Sequence, residues 1–108
     1  MSGSSGSSFT PTADVACEAL RVKTVLNSPN PAILGQLQKG HCLEVAIERQ
    51  GARDVVVARW QGQTAGSITA ASFIKIIECL KAGEPFRATV LAVAGGRCDL
   101  EITYGACR

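Results

Sequence analysis

Chemistry in this chain would depend on one imidazole, because His41 is the only histidine. Near neutral pH a histidine acts as a general base, a metal ligand or a proton shuttle. His41 follows Gly40 where a loop enters a predicted strand, and no neighbouring carboxylate is placed to orient its ring. The position is therefore typical of a histidine at the surface or at a strand edge, with a functional role as the alternative.

Two carboxyl groups, Asp99 and Glu101, lie on one side of a predicted strand, as the acid and base of a glycosidase would. Arg97 lies beside them, and this combination is more typical of a solvated face. The serines and threonines have no histidine or lysine partner at a spacing that would activate a nucleophile. We therefore predict a protein that is not an enzyme and that uses no cofactor.

Five widely spaced cysteines are present: Cys17, Cys42, Cys79, Cys98 and Cys107. None belongs to a closely spaced pair of the kind that supplies ligands to structural zinc, so no metal site is predicted. An odd number leaves at least one thiol unpaired in a secreted protein, which favours a reducing compartment. We expect buried thiols that act as small apolar side chains, in a cytoplasmic protein. Cys107, close to the end of the sequence, is the thiol most open to oxidation.

The candidate contacts for a nucleic acid are four arginines and one tryptophan: Arg49, Arg53, Arg59, Trp60 and Arg87. Three of the arginines come from one predicted hairpin, and Arg87 joins them if its strand lies alongside. Guanidinium groups on one face would bind a row of phosphates. Glu48 and Asp54 dilute this charge, so a merely solvated face is an equal alternative. The ring of Trp60 would stack a base, and its alternative is packing over an edge of the fold.

The overall charge does not itself indicate a polyanion as partner. Eleven basic and nine acidic residues give a net charge of +2, so any nucleic-acid site has to be a local patch. No apolar run reaches the ~18 residues that span a bilayer. Met1 is not followed by a basic segment and an apolar stretch, so no membrane partner is predicted.

The elements that would position these side chains are mostly strands. Apolar and polar residues alternate in strand-like runs at residues 19–26, 41–49, 55–60, 64–68, 86–93 and 98–104, the fourth of which is a short addition. A single helical turn is expected at residues 32–38. At residues 70–82 the apolar period becomes helical, with Thr69 as N-cap and Gly83 as the residue after the helix. Gly95-Gly96 is typical of a tight hairpin.

This order of strands and helix is that of the OB-fold. We predict a mainly β fold, a small OB-like β-barrel of five or six strands with one helix between strands three and four. The strand at residues 86–93 is apolar on both faces, which indicates a central position. Residues 1–14 are predicted to be a flexible Gly/Ser-rich tail, similar to an expression-tag linker, and residues 15–108 a single domain.

Short segments between Ile33 and Ile102 resemble a known family. They are the Leu37-x-x-Gly40-x-x-Leu43 spacing, the Glu48-Arg49 pair, and residues 55–57, 63–68 and 82–88. In this order they are similar to the HIRAN domain, a modified OB-type barrel found alone in bacteria and fused to DNA-remodelling helicases in eukaryotes. In the eukaryotic members, aromatic residues and an aspartate hold the 3′ end of single-stranded DNA. Ser67 stands where the family has an aromatic residue, and residues 50–54 lack its Asn-Pro-x-Asp stretch. The resemblance therefore implies the fold and not the recognition of ends.

The sequence thus predicts a non-enzymatic binding domain that contacts single-stranded or unpaired nucleic acid. The alternative is a protein-interaction or assembly module without nucleic-acid binding. Such a module would offer to another chain an exposed strand edge, or the turn formed by Ile33, Leu34 and Leu37.

Overall fold

The computed structural model describes residues 16–69 and 73–107, with Phe73 described by its backbone alone. The strands are β1 (Arg21–Val25), β2 (Cys42–Gln50), β3 (Arg53–Trp60), β4 (Gln63–Ile68), β5 (Phe86–Ala94) and β6 (Arg97–Tyr104). The helices are α1 (Pro31–Leu34) and α2 (Phe73–Lys81), and a 3-10 turn at Cys17–Ala19 precedes β1. The predicted tail at residues 1–14 and the start of the predicted helix at residues 70–72 lie outside the described residues.

The six strands form one antiparallel sheet in the order β1-β6-β5-β2-β3-β4. The prediction of a mainly β fold is confirmed. The central position predicted for β5 is also confirmed, because it pairs with β6 on one side and with β2 on the other. In chain order α2 follows four strands, so the prediction of a helix between strands three and four is not confirmed. In the described ranges no helix is long and apolar enough to cross a membrane.

The sheet is not closed into the barrel that the sequence predicted. The segment after β1 contacts the edge strand β4 at an isolated bridge, in which Asn27 and Ser67 exchange two N–H···O bonds of 2.8 Å. The Asn30 N–H also donates to the Ala65 carbonyl of β4 at 2.8 Å. Pro29 and Pro31 have no N–H to donate, so regular strand pairing does not continue through this segment. Pro31 begins α1 instead, and the Asn30 side chain caps that helix by accepting from the Ala32 N–H at 3.0 Å.

One cluster of buried apolar side chains combines residues of the sheet and of both helices. Its members include Ile33, Leu37, Leu43, Val45, Val56, Ile76, Phe86, Val90, Leu100 and Ile102. Ile33 and Leu37 are only 2% and 5% exposed and Leu34 is half-buried, so two of the three apolar side chains of this turn are not accessible to another chain. Apolar residues in a short turn indicate that the turn packs against an apolar surface. Here that surface is the buried cluster of the protein itself.

Side chains along a strand alternate between the two sides of the sheet. The inner face is the one that carries the buried cluster, and the outer face is the opposite one. In β6, Cys98, Leu100 and Ile102 are buried, and Tyr104, which has the same strand parity, is half-buried against the cluster. Their neighbours Asp99, Glu101 and Thr103 therefore belong to the outer face.

Two backbone predictions that rest on glycine are confirmed. Gly83 follows α2 with a φ of 90°, and its N–H donates to the Leu80 carbonyl at 3.0 Å while the Glu84 N–H donates to the Cys79 carbonyl at 3.0 Å. This is the Schellman arrangement that ends a helix. Gly95 and Gly96 have φ values of 59° and 80°, as required in the tight turn that joins β5 to β6.

Four of the five cysteines form two disulfides, which corrects the prediction of unpaired thiols. One joins Cys17, before β1, to Cys79 in α2, and the other joins Cys42 in β2 to Cys107. The partners are separated by 62 and 65 residues in sequence, so their proximity follows from the fold and cannot be inferred from spacing. Cys98 is buried and is the cysteine without a bridge.

We expect the Cys98 thiol to be unreactive in the folded protein. Its side chain is fully buried, and burial, followed by the nearby Asp99 carboxylate, raises the pKa of the thiol. Since the thiolate is the reactive form, N-ethylmaleimide at pH 8 should label no cysteine of the native oxidised protein and one cysteine after denaturation. Mass spectrometry before and after denaturation checks this. Rapid labelling of Cys98 in the native protein would show that the core opens near β6.

Candidate nucleic-acid interface

Three of the four candidate arginines lie on the outer face. In β3, Arg53 and Arg59 have the strand parity of Val57, opposite to that of the cluster residues Val56 and Ala58. Arg87 lies between buried residues of β5. The strand register places Glu44 of β2 directly opposite Arg59 on one side and Arg87 on the other. The structure therefore brings these three arginines to one surface, although a carboxylate stands between two of them.

Arg49 and Trp60 lie on the other side of the sheet. Arg49 has the same strand parity as the buried residues Leu43 and Val45, and Trp60 packs against the buried cluster. The Arg49 guanidinium lies 3.5 Å from the Asp54 carboxylate, which also belongs to the inner side. The five candidate residues consequently do not form one continuous site.

The ring of Trp60 is engaged in contacts within the protein. It stacks on the ring of His41, with centroids 4.7 Å apart and planes at 19°. Its Nε1–H donates to the Gln36 side chain at 3.2 Å, and His41 Nδ1 accepts from the Gln38 N–H at 3.1 Å. A base could stack on this face of Trp60 only by displacing His41. The observed contacts of Trp60 are therefore those of a side chain packed within the protein, which is the alternative to stacking on a base.

Arg59 is held on the outer face by an ion pair. Its Nε and Nη2 donate to Glu48 Oε2 at 3.3 and 3.1 Å, and the Thr64 hydroxyl donates to the same oxygen. The Thr64 hydrogen bond, and after it Arg59, lower the pKa of Glu48 against the opposing effect of burial. Arg59 therefore has the least freedom of the three outer arginines to bind a phosphate.

Arg53 and Arg87 are the more available cations. Arg53 is exposed at the start of β3. Among the described residues, neither arginine has a carboxylate oxygen within the 4.0 Å that defines an ion pair. Arg87 donates from Nη1 to the carbonyl of Ala106 at 3.4 Å, a long and weak contact. These two guanidinium groups can bind an anion without first leaving a carboxylate.

Sequence reasoning missed three further cations on the outer face: Arg21, Lys23 and Arg97. Arg21 forms an ion pair with Glu101 at 3.2 Å, and Arg97 with Asp99 at 2.8 Å. Both carboxylates that were considered as an acid/base pair are thus bonded to arginine. The β1–β6 pairing that creates this arrangement joins residues about 80 positions apart, as in Arg21 opposite Thr103, and no local signal in the sequence predicts it.

Comparison of the chain with protein-family models, curated proteins and solved structures gave no match. The resemblance to the HIRAN domain therefore stays a prediction.

In the described part of the chain, no group of three or more His, Cys, Asp or Glu side chains is placed to hold a metal ion. A surface cavity of about 320 Å³ is lined on the outer side by Lys23, Val25, Leu91, Arg97 and Asp99.

Asp54 connects the β2–β3 hairpin to the end of α2. Its Oδ2 lies 2.9 Å from Lys81 Nζ, in addition to its contact with Arg49. The hydrogen bond from Lys81 is the main cause that lowers the pKa of Asp54, and Arg49 adds to it. A carboxyl group with a lowered folded-state pKa stabilises the fold above its unfolded-state pKa, and this contribution disappears as the pH falls through the folded-state value.

We therefore expect Asp54→Asn to lower the melting temperature at pH 7, because the contact with Lys81 loses its charge. The difference from the unchanged protein should narrow once the pH, lowered from 7 to 2, falls below the ordinary aspartate pKa of about 4, because Asp54 itself then becomes protonated. Thermal unfolding followed by circular dichroism across this range measures it. Glu44→Gln is the control, since Glu44 has no ion pair with the described residues. A difference for Asp54→Asn that stays constant down to pH 2 would contradict the role of the charge.

Proposed function

We propose that this chain is a non-enzymatic binding domain whose outer face contacts the phosphates of single-stranded or unpaired nucleic acid. The observation that supports the proposal most is the common placement of Arg53, Arg59 and Arg87 on that face. Arg53 and Arg87 are not occupied by a carboxylate of the described residues, so they carry the proposed contacts. Arg21 and Lys23 extend the positive surface across β1.

The charge of the outer face predicts weak and salt-sensitive binding. Glu44 lies between Arg59 and Arg87 in the strand register, and a like charge at that point repels a phosphate. Each phosphate that is neutralised releases counterions, so the affinity falls as the salt concentration rises. In this proposal Trp60 does not stack a base, because it lies on the inner side and already stacks on His41.

The OB-like and HIRAN-like character of the fold belongs to the same proposal. We infer an OB-type barrel that has opened between β1 and β4, with the Asn27–Ser67 bridge and the Asn30–Ala65 hydrogen bond as contacts across the opening. The strand order around the sheet and the helix that precedes β5 support this inference. The cytoplasmic location stays a prediction, and the two disulfides favour an oxidising compartment over it.

Binding of a fluorescein-labelled single-stranded oligonucleotide, measured by anisotropy at several salt concentrations, tests the proposal. Arg53→Gln should weaken binding and reduce the slope of log affinity against log salt by about one. Arg87→Gln should have a smaller effect, because Arg87 Nη1 already donates to the Ala106 carbonyl. Arg49→Gln makes the same change of charge on the inner side and should leave the slope unchanged. Equal affinities for all four proteins would remove the outer face as the site.

A second candidate function is a protein-interaction module that uses the edge of β1. In the described part of the chain, β1 pairs with β6 alone, so its other edge presents backbone N–H and C=O groups to which an extended peptide can add. Such association would depend on protein concentration and would be insensitive to Arg53→Gln and Arg87→Gln. Sedimentation velocity at several concentrations separates it from nucleic-acid binding.

A further inference from the structure

The end of the described chain folds back over the sheet. After β6, the Gly105 N–H donates to the Pro85 carbonyl at 2.9 Å, the Ala106 carbonyl accepts from Arg87 at 3.4 Å, and Cys107 is bonded to Cys42 of β2. We call residues 105–107 the C-terminal strap. Cys42 has the same strand parity as Glu44, so the strap is fastened to the outer face, where Arg87 lies.

The strap lies in close contact with the Arg87 guanidinium. Gly105 has a φ of 112°, and a Cβ added there would lie 2.7 Å from Arg87 Nη1. The backbone of the strap therefore covers one side of the side chain that is proposed to bind a phosphate. As long as the strap is in place, one donor of Arg87 is engaged and an incoming anion meets the carbonyl of Ala106.

The Cys42–Cys107 disulfide contributes more to holding the strap in place than apolar packing does. A cavity of about 230 Å³ lies beside it, lined by Glu44, Val45, Pro85, Phe86 and the strap residues Ala106 and Cys107. Ala106 and Cys107 are exposed, and neither belongs to the buried cluster. Loss of the bridge would consequently free the strap without removing a core side chain.

The two disulfides differ in their access to a reductant. Cys107 is exposed and Cys42 half-buried. In the other bridge Cys17 is half-buried and Cys79 is only 2% exposed. Thiol–disulfide exchange requires that a thiolate reach one sulfur of the bridge. An external thiol therefore reaches Cys107 first.

We propose that the Cys42–Cys107 bridge is a site of thiol–disulfide exchange with an external dithiol, and that its reduction releases the strap and frees Arg87 for a phosphate. The effect on binding rests on the function proposed above, while the exchange itself does not. The bridge between Cys17 and Cys79 remains oxidised and continues to hold α2 to the start of β1.

The dithiol supplies all the electrons and protons that reduction of the Cys42–Cys107 bridge requires. A thiolate of the dithiol attacks the Cys107 sulfur, which forms a mixed disulfide and releases the Cys42 thiolate. The second thiol then attacks the reductant's own sulfur in that mixed disulfide and releases the Cys107 thiolate, so the reductant leaves as a cyclic disulfide. Two electrons and two protons pass from the dithiol to the two cysteines, and oxidation by a second disulfide reverses the reaction.

The exchange is tested on the full chain with dithiothreitol. Samples of the native protein are quenched with iodoacetamide at increasing times, and the modified cysteines are identified by mass spectrometry. Cys42 and Cys107 should be modified together and well before Cys17 and Cys79. Simultaneous modification of all four, or earlier modification of Cys17 and Cys79, would overturn the assignment of the exchange site.

The release of Arg87 is tested by oligonucleotide binding. The variant with Cys42→Ser and Cys107→Ser should bind the labelled single strand roughly threefold to tenfold more tightly than the oxidised protein, with a salt slope steeper by about one. Adding Arg87→Gln should cancel this gain. The matched control with Cys17→Ala and Cys79→Ala removes the other bridge and should leave the salt slope unchanged. If the first variant does not fold, the protein reduced and alkylated only at Cys42 and Cys107 takes its place.

The outcomes separate the two proposals. Equal binding with and without the Cys42–Cys107 bridge overturns control by the strap and leaves the proposed function in place. Absence of binding in both forms overturns the proposed function, and with it the control of binding, while the alkylation order still decides on the exchange site. A gain that persists with Arg87→Gln shows that the strap covers something other than Arg87, which also contradicts the proposal.

Discussion

Removal of the Cys17–Cys79 bridge should lower the free energy of unfolding by about 4 kcal/mol. The bridge closes a segment of 62 residues, and closing a long segment removes much of the entropy of the unfolded chain. It also joins α2, through the buried Cys79, to the turn before β1. Since small domains are stable by only about 5 to 15 kcal/mol, this loss would take up a large part of the total.

The variant Cys17→Ala and Cys79→Ala, unfolded with guanidinium chloride, measures this loss. Alanine is used because serine at Cys79 would bury a hydroxyl group. The variant with Cys42→Ser and Cys107→Ser is the matched comparison, with a similar separation of 65 residues. Its loss should be smaller, because the freed strap regains conformational entropy in the folded state. A larger loss for the Cys42–Cys107 variant would contradict the distinction between a bridge that holds the core and one that holds the strap.

Replacement of Gly66 by alanine should destabilise the fold by about 2 to 3 kcal/mol through overpacking. A Cβ at this position would lie 2.7 Å from the Asn27 carbonyl oxygen, 2.7 Å from Leu26 Cγ and 2.8 Å from Leu26 Cδ1. Two of these atoms belong to a buried side chain and the third to the backbone, so none can move away cheaply. The contact lies beside the Asn27–Ser67 bridge, the point at which the two edges of the sheet meet.

Gly35→Ala is the control for this substitution. Gly35 ends α1 with ordinary helical angles, φ −66° and ψ −15°, and a Cβ there would lie 3.6 Å from its nearest neighbour, the Pro31 oxygen. We expect no loss of stability, or a gain of about 0.5 kcal/mol from the less flexible unfolded chain. Equal midpoints of denaturation for Gly66→Ala and Gly35→Ala would show that β1 and β4 are not held together at Gly66.

Local features of the sequence predicted most of the elements. Alternation located the strands, and the helical period with Gly83 located the end of α2, because these signals depend on neighbours in the chain. What could not be predicted depends on contacts between distant residues. The pairing of β1 with β6, the two disulfides and the fact that the sheet does not close all belong to this class.

The sequence predicts only part of the arrangement of the candidate residues, because strand parity is a local signal and contacts between strands are not. Arg53 and Arg59 are six residues apart in one strand, so their common face could be inferred from parity, and Arg87 joined them through the pairing of β5 with β2. Parity also excludes Arg49 from this face. Membership of the same hairpin does not place a side chain on the same face, because neighbouring residues of a strand point to opposite sides. The contact of Trp60 with His41 joins β3 to the loop before β2, and strand alternation does not predict it.

The most direct test of the outer face as a nucleic-acid site is a titration of the ¹⁵N-labelled, oxidised protein with a short mixed-sequence single strand, followed by heteronuclear NMR at low and moderate salt. We predict amide shifts concentrated around Arg53, Arg59 and Arg87, changes at the side-chain Nε of Arg53 and Arg87, and little change at the Trp60 indole. The shifts should shrink as salt is added. Shifts that centre on Trp60 and His41, or no shifts with oligonucleotide in excess of about 100 µM, would contradict the account.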